Sequence, residues 1–177
     1  EYWAGDIPWF SVVDAPNPSD VFVIDTEKHV TQAGIDNSSA KILPVGTTII
    51  SARGTVGKCA MLAKPMAMNQ SCYGVRGKEG ISDSYVYYAI YLQVADLQQR
   101  SHGSVFSTIT RDTFKTIKLP FGSPQITEKL DDVIRPYFGK ILSNSLQANT
   151  LKQLRDTLLP KLLSGELRIP DAEKLLE

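Results

Sequence analysis

A long stretch near the end of the chain, from Gln125 to about Ser164, constrains the fold more than any other part of the sequence. Apolar residues recur there at steps of mostly three and four, which is the spacing of a coiled-coil helix. The apolar line consists of Ile126, Leu130, Val133, Tyr137, Ile141, Leu151, Leu154, Leu158 and Leu162. At about 1.5 Å per residue, a helix of roughly 39 residues extends about 58 Å, which exceeds the width of a domain built from the remaining chain. We therefore expect this apolar line to need a partner.

A second apolar line lies beside the first and widens the stripe over the middle turns. It consists of Ile134, Phe138, Leu142 and Leu146. Pro136 falls inside the stretch, where its missing backbone N–H predicts that the helix is kinked or divided. Gly165 is typical of a residue at which a helix ends. The sequence therefore predicts a spacer helix over residues 123–165, kinked near Pro136, and a tail over residues 166–177.

The first 122 residues show short strand and turn patterns instead. Runs of β-branched and apolar residues predict strands, and Gly, Pro and Asn mark the turns between them. Ser82 or Asp83 is expected to cap an amphipathic helix whose apolar positions are Tyr85, Tyr88, Ala89, Leu92 and Leu97. The predicted strands cover residues 7–13, 47–52, 58–63, 66–75 and 114–119. The fold class is therefore α+β, with a strand-rich domain over residues 1–122 followed by a long C-terminal helix.

The charges balance over the whole chain but are distributed unevenly along it. The formal net charge is 0, which taken alone argues against a nucleic-acid partner. Residues 1–40 carry seven acidic side chains against one lysine, whereas residues 51–78 carry five basic side chains and no acidic one. Residues 100–118 add four basic side chains against one acidic. Two basic segments in a neutral protein can form a local anion-binding face, although scattered solvated lysines give the same count.

The sequence lacks the patterns of common catalytic and metal sites. The GTVGK string at residues 54–58 differs from a phosphate-binding loop, because Ala52 replaces its first glycine and Cys59 replaces its Ser or Thr. Cys59, Cys72, His29 and His102 include no closely spaced ligand pair, so reduced cysteines are expected rather than a zinc site or a nucleophile. We find no signal peptide and no run of about 18 apolar residues, and expect a cytoplasmic protein.

What remains is a binding surface. Arginine and lysine contact phosphates, arginine also reads guanine, asparagine and glutamine read adenine, and short hydroxyl groups contact either. Residues of these types lie in turns and short polar stretches of the acid-poor segments: Arg53, Lys58, Asn69, Gln70, Ser71, Arg76, His102, Ser104, Thr108 and Arg111. Each residue alone is weak evidence for DNA binding, since side chains such as those of Asn69 and Gln70 can equally form hydrogen bonds with backbone groups of the protein. Their grouping favours a DNA-binding face.

Several strings then resemble one known family. YWAGDIPW at residues 2–9, SARGTVG at 51–57, MNQS at 68–71 and GSVFSTIT at 103–110 resemble motifs of a target recognition domain, in the same order. Such domains belong to the specificity (S) subunit of type I restriction-modification systems. LRDTLLPKLLSGEL at residues 154–167 resembles the end of the helical spacer of that subunit. The resemblance covers essentially the whole chain.

The resemblance implies a non-catalytic DNA-recognition subunit. An S subunit has two target recognition domains, each reading a few base pairs, separated by two long helices that pack antiparallel as a coiled coil. It holds no cofactor. Methyltransferase (M) subunits bind it and use S-adenosylmethionine, and a restriction (R) subunit can join. The spacer would then set the distance between two half-sites of double-stranded DNA.

The sequence resembles half of such a subunit, with one recognition domain and one spacer helix, and it lacks the residues that usually precede the YWAGDIPW string. It is therefore either a fragment or a natural half-subunit. For a natural half-subunit we expect a homodimer whose two helices pack antiparallel. The alternative from a different class is a dimeric adaptor that uses the helix for protein association and binds no DNA. A methyltransferase or nuclease in its own right is disfavoured, since a Gly-rich S-adenosylmethionine loop and an acid–lysine cluster are missing.

Overall fold

The computed structural model describes residues 1–17, 20–53, 55–101, 108–115 and 122–168. It divides into two compact units, Glu1–Leu142 and Ser143–Glu177. The strands are β1 (Trp3–Phe10), β2 (Phe22–Val23), β3 (His29–Val30), β4 (Thr48–Ser51), β5 (Cys59–Leu62), β6 (Ala67–Met68) and β7 (Cys72–Val75). The helices are α1 (Gln32–Asp36), α2 (Asp83–Ser101), α3 (Arg111–Lys115) and α4 (Pro124–Leu163), and a 3-10 turn covers Val12–Asp14. A strand-rich domain followed by a long C-terminal helix is the predicted fold class, which is confirmed.

The first unit contains two sheets, ordered β3-β1-β6 and β2-β5-β4-β7. Strand β4 lies inside the four-stranded sheet and is buried along its whole length. Successive side chains of a strand point to opposite faces, so Ile49 and Ile50 serve two different cores. Ile49 packs with Phe10, Leu62 and other residues, and Ile50 packs in a separate cluster with Ile90 of α2. The four-stranded sheet is therefore covered on both faces.

The predicted strand over residues 66–75 is wrong as one element, because a turn divides it into β6 and β7. The side-chain oxygen of Asn69 accepts a hydrogen bond from the Ser71 N–H (3.0 Å), and the Cys72 N–H donates to the Asn69 carbonyl (3.3 Å). Asparagine stabilises such turns by mimicking a backbone bond. The turn moves the chain from the three-stranded sheet to the four-stranded one.

The predicted strand over residues 114–119 is also wrong in its described part, because Phe114 and Lys115 belong to helix α3. Thr110 and Thr113 stabilise the start of this helix, because the side chain of each accepts a hydrogen bond from the backbone of the other. The Thr113 N–H donates to Thr110 Oγ1 (3.2 Å), and the Thr110 N–H donates to Thr113 Oγ1 (3.0 Å). The Phe114 ring then packs edge-on against Tyr73, with centroids 5.4 Å apart. Local capping and this aromatic contact outweigh the β-like composition of the segment.

Helix α2 covers the predicted segment, but Leu92, one of its expected apolar positions, is 73% exposed. The Tyr85 N–H donates to Ser82 Oγ at 3.1 Å, so Ser82 caps the helix and Asp83 is its first residue. Tyr87 and Ile90 of its inner face are buried. Strand β1, by contrast, begins and ends earlier than the predicted strand over residues 7–13, because the 3-10 turn follows Phe10 and Ser11.

In the first unit, the second apolar line of α4 packs onto the domain. Phe138 is 5% exposed and lies in a cluster with Val21, Met61 and Tyr87. Its ring makes edge contacts with Phe22 and Tyr87, both at 5.7 Å between centroids, and stacks on Tyr88 at 5.5 Å. Ile134 of the same line packs against this cluster, and so does Ile141, which belongs to the first apolar line. The second apolar line therefore fixes the first part of the helix to the domain.

Pro136 and Pro160 both lie within the single helix Pro124–Leu163. Pro136 does not divide the helix, and a kink at Pro136 stays a prediction. In the second unit the helix continues to Leu163, and Gly165, with a backbone φ of 74°, follows its end as expected. Within the described residues, we find no helix with the length and apolarity needed to cross a membrane.

Candidate nucleic-acid interface

Three polar segments meet at one end of the four-stranded sheet. Strand β4 pairs antiparallel with both β5 and β7, with Ile50 opposite Cys59 and Ser51 opposite Cys72. The β4–β5 loop and the turn before β7 must therefore emerge at the same end. We call this end, formed by residues 52–53, 55–58, 69–71 and 108–111, the polar end of the sheet. It contains most of the described residues that the sequence predicted for DNA binding.

The backbone of Ser51 and Ala52 joins the three segments. The Ala52 N–H donates to the Ser71 carbonyl at 2.7 Å, and the Ile109 N–H donates to the Ala52 carbonyl at 2.9 Å. The Ser51 N–H and carbonyl bond to the Lys58 carbonyl (2.8 Å) and the Gly57 N–H (2.9 Å). Because these are short backbone bonds to a buried strand, the segments are held in a defined arrangement.

The β4–β5 loop is also fixed from two other sides. The buried Ser51 hydroxyl accepts from the Lys58 N–H at 2.8 Å and donates to the Thr55 carbonyl at 2.5 Å. Gln98 of α2 donates from Nε2 to the Val56 carbonyl at 2.8 Å. Gly57 has a φ of 88°, and a Cβ there would meet Val94 Cγ1 and Gln98 Nε2 at 2.9 Å each. Only glycine permits both this conformation and the close approach to α2.

The side chains at this end combine fixed charges with exposed polar groups. Arg53, Lys58 and Arg111 are exposed, and none forms an ion pair with another described residue. Gln70 is exposed at the tip of its turn, next to the half-buried Ser71. Unneutralised cations beside hydrogen-bonding groups are the chemistry that contacts phosphates and base edges.

Two further predicted residues have a different position or role. Asn69 uses its side-chain oxygen within the turn, so it shapes the presentation of Gln70. Thr108 is half-buried next to Ile109, whose side chain is fully buried in the core. His102 and Ser104 lie outside the described residues.

Arg76 is not brought together with the other predicted residues. It follows β7 at the opposite end, about 13 Å along the strand from Cys72 at the usual rise per residue. Its Nη2 donates to Asp83 Oδ2 at 2.6 Å, and this hydrogen bond and ion pair raise the pKa of the Arg76 guanidinium above its usual range. The Gly77 N–H also donates to Asp83, at 2.9 Å. Arg76 is thus neutralised in a contact that ties β7 to the start of α2.

The cysteines show no sign of nucleophilic or metal chemistry. Both are free thiols, as expected. Burial raises the pKa of Cys59 to about 12, and burial with the nearby Asp14 carboxylate raises that of Cys72 to about 11. Both thiols are therefore protonated at neutral pH. Among the described residues, no group of three or more His, Cys, Asp and Glu side chains could hold a metal ion.

Sequence reasoning missed Ser51 and Gln98 as residues that shape this end. The signal for Ser51 was a polar residue that ends a β-branched strand immediately before a Gly-containing turn. Gln98 had no comparable signal, because its contact with Val56 joins residues 42 positions apart.

The predicted partner face of α4 is largely exposed. In the first unit, Ile126, Leu130, Val133 and Tyr137 are between 37% and 68% exposed, whereas Ile141 is half-buried with Phe138 and its neighbours. In the second unit, Leu151, Leu154, Leu158 and Leu162 are between 39% and 65% exposed. We call these eight exposed residues the exposed apolar line. They leave apolar surface that the described residues do not cover.

Comparison with known proteins connects this architecture to one family. Residues 1–153 match the family described as "Type I restriction modification DNA specificity domain". The chain is 29% identical over 153 residues to the type I restriction enzyme MjaIX specificity subunit of Methanocaldococcus jannaschii, covering 85% of this chain and 35% of that protein. It is 29% identical over 174 residues to the HindI specificity subunit of Haemophilus influenzae, covering 94% and 37%. The chain thus spans little more than a third of these relatives.

Solved structures show the same fold. The crystal structure of the HsdS subunit from Thermoanaerobacter tengcongensis aligns with a TM-score of 0.56 at 14% identity, covering 93% of this chain and 39% of that one. A second structure, described as "Structural basis underlying complex assembly and conformational transition of the type I R-M system", aligns with a TM-score of 0.54 at 16% identity, covering 91% and 39%. The predicted kinship to specificity subunits is confirmed, and the chain belongs to the type I restriction modification DNA specificity domain family.

Proposed function

We propose that this chain is a sequence-specific DNA-recognition part of a type I restriction-modification enzyme, and that the polar end of the sheet faces double-stranded DNA. The observation that carries this proposal is the set of exposed cations Arg53, Lys58 and Arg111, which form no ion pair with a described residue and lie on segments joined by backbone hydrogen bonds. Such a rigid, cationic end is suited to phosphate binding, and the family description names DNA specificity.

Within this surface, different residue types suit different contacts with DNA. Lys58 and Arg111 suit phosphate contacts, which set position and register on the duplex. Arg53 is exposed at the start of the β4–β5 loop and Gln70 is exposed in its turn, and their side chains can form two parallel hydrogen bonds to guanine and adenine edges respectively. Ser71 and Thr108 supply shorter hydroxyl groups beside them. The chain itself needs no cofactor for this function.

The chemistry would be carried out by partner subunits. We propose that methyltransferase subunits bind this chain and use S-adenosylmethionine, that a restriction subunit can join them, and that this chain is not catalytic. Support comes from the names of the relatives, which are specificity subunits of type I restriction enzymes. A complex that acts on cellular DNA would place the chain in the cytoplasm.

The exposed apolar line supports a second recognition domain in the assembly. Because apolar residues recur at coiled-coil spacing and remain exposed, we propose that α4 packs antiparallel against an equivalent helix. That helix would come from a second copy of this chain, giving a homodimer with two-fold symmetry. Two identical recognition domains would then read a symmetric, bipartite target.

The test is DNA binding by the full chain in complex with its methyltransferase partner, measured between about 50 and 200 mM salt. Arg53→Ala and Arg111→Ala should each weaken binding, and loss of a phosphate contact should reduce the salt slope by about 1. Arg76→Ala is the matched control, since Arg76 is also an exposed arginine but is paired with Asp83 at the other end.

Equal binding by all three variants and the parent would show that the polar end does not face DNA. The alternative function, a dimeric adaptor, is supported by the exposed apolar line alone. The adaptor function predicts that the chain associates with other proteins in a way that does not depend on salt. It also predicts that the parent chain binds DNA no more tightly than the Arg53→Ala variant does.

A further inference from the structure

We propose that Ser51 is a positioning residue for DNA recognition, whose hydroxyl holds the β4–β5 loop in the conformation that presents Arg53 and Lys58. The inference rests on the proposed DNA-recognition function and assigns a specific role to a residue that does not itself face solvent. Ser51 is 1% exposed and therefore cannot contact DNA.

One hydroxyl group ties both arms of the loop. Ser51 Oγ donates to the Thr55 carbonyl and accepts from the Lys58 N–H, at 2.5 and 2.8 Å. Serine can do this because its hydroxyl is both a donor and an acceptor. The two bonds cross the loop between Arg53 and Lys58, so they restrict the backbone that carries both cations.

The same strand contains a natural comparison. Thr48, at the other end of β4, is fully buried, and its Oγ1 has no hydrogen-bond partner in the described structure. Both hydroxyl groups are equally hidden in one short strand, but only that of Ser51 reaches the loop. A buried hydroxyl in β4 is therefore not sufficient for this role, and the two bonds to the loop set Ser51 apart.

Loss of the Ser51 hydroxyl should free the loop without unfolding the sheet. The two bonds join Ser51 to Thr55 and Lys58, which are exposed loop residues and not members of the hydrophobic core. The backbone bonds of Ser51 and Ala52 and the Gln98 contact remain. DNA binding must then order a loop that the parent protein holds in place, and ordering costs affinity.

The experiment compares Ser51→Ala with Thr48→Val in the full chain bound to its methyltransferase partner. Ser51→Ala should weaken binding to the target DNA about tenfold, which is the scale of one or two lost hydrogen bonds. Thr48→Val removes a buried hydroxyl without removing a bond, so its affinity should stay within about twofold of the parent. Ser51→Thr keeps the hydroxyl and should restore binding.

A double-mutant cycle with Arg53→Ala separates positioning from general weakening of the fold. If Ser51 acts through Arg53, Arg53→Ala should cost much less affinity in the Ser51→Ala background than in the parent, because neighbours that act together are not additive. A purely structural role predicts the same loss in both backgrounds. Faster hydrogen exchange of the Lys58 amide in Ser51→Ala gives a second readout that does not depend on DNA.

The outcomes distinguish the two proposals. If Arg53→Ala weakens binding but Ser51→Ala behaves like Thr48→Val, or the cycle is additive, the role of Ser51 is refuted and the DNA interface stands. If Arg53→Ala has no effect, the interface fails and the role of Ser51 fails with it. Should Ser51→Ala not fold, Ser51→Cys replaces it with the same expectations, since a thiol hydrogen-bonds weakly.

Discussion

The polar end of the sheet and the exposed apolar line of α4 are two candidate binding surfaces built in opposite ways. At the polar end, exposed cations project from loops whose backbone is fixed by hydrogen bonds to buried strand residues. The exposed apolar line presents side chains such as Val133 and Leu151, which are 62% and 65% exposed, on a regular helix. The polar end can bind through charge and hydrogen bonds, whereas the exposed apolar line can bind by burying apolar surface area.

The difference teaches that the two surfaces should respond to different conditions. Binding to phosphates releases counterions and weakens steeply with salt. Burial of apolar side chains depends on the area removed from water and changes little with moderate salt. Variants that disturb one surface should therefore leave the other intact, and the following predictions test this separation.

The largest effect is expected from two charges placed on the apolar line of the second unit. Leu151→Glu with Leu158→Glu removes two leucines worth about 1.5–3 kcal/mol each when buried, and it adds charges to the interface. Self-association should weaken at least about a hundredfold, as measured by gel filtration with light scattering at micromolar concentration.

The matched control for that pair is Asn149→Asp with Gln153→Glu, which adds the same charge on the opposite side of the helix. The control should keep the oligomeric state of the parent. A parent chain that is already a clean monomer would refute the homodimer.

A comparably large effect is expected within the first unit, where two adjacent aromatic residues of α4 have opposite environments. Phe138→Ala should lower the free energy of unfolding by about 3–5 kcal/mol, since Phe138 is 5% exposed and contacts three aromatic rings. Tyr137→Ala should change it by no more than about 0.5 kcal/mol, because Tyr137 is 68% exposed.

Denaturant unfolding of these two variants is best measured in the Leu151→Glu, Leu158→Glu background, so that self-association does not contribute. Equal losses for Phe138→Ala and Tyr137→Ala would contradict the assignment of one apolar line to the domain and the other to a partner.

A smaller effect is expected at the tip of the Asn69–Ser71 turn. Gln70→Ala should reduce the preference for one base pair of the target by about 1–3 kcal/mol and leave binding to unrelated DNA unchanged. Competition binding with targets substituted at single positions measures this directly. Gln153→Ala, an exposed glutamine of the second unit, is the control, and unchanged preference in Gln70→Ala would remove Gln70 from the interface.

The smallest effect is expected from pH. Partial burial raises the pKa of Asp131, but hydrogen bonds from Ser84 and Arg135 outweigh it, so the pKa of this carboxyl group lies below its usual value. A carboxyl group with a lowered folded-state pKa stabilises the fold above its unfolded value, and this stabilisation is lost as pH falls through the folded value. Unfolding free energy measured below about pH 4 should therefore fall less steeply in Asp131→Asn. Identical acid profiles for variant and parent would show that the Asp131 contacts add no stability.

Several elements of the fold were predictable from the sequence because their signals are local. The 3.6-residue periodicity of α2, its Ser82 cap and the long apolar stripe of α4 depend only on neighbours along the chain. The strand over residues 66–75 and the element around Phe114 were not predicted correctly. The side chain of Asn69 accepts a local backbone hydrogen bond that favours a turn over a continuous strand. The side chain of Thr110 accepts one that favours a helix over a strand.

The candidate site was predictable in its residue types and only partly in its membership. Composition singled out Arg53, Lys58, Gln70 and Arg111, which the pairing of β4 with β5 and β7 brings to one end. The same composition included Arg76, which strand direction places at the other end with Asp83. Which basic residues share an end depends on strand register, and register joins residues far apart in the chain.

The sequence by itself determined that this chain has a strand-rich domain, a long helix with two apolar lines and the motifs of a specificity domain. These features could be recognised because periodicity and motifs depend on residues that are close together in the chain. Only the tertiary structure decided that Phe138 faces the domain while Tyr137 faces outward, and that Ser51 ties the loop of Arg53 and Lys58. The physical reason is that adjacent apolar residues of a helix have equal reason to be buried. The neighbour that each one meets is set by packing between distant segments.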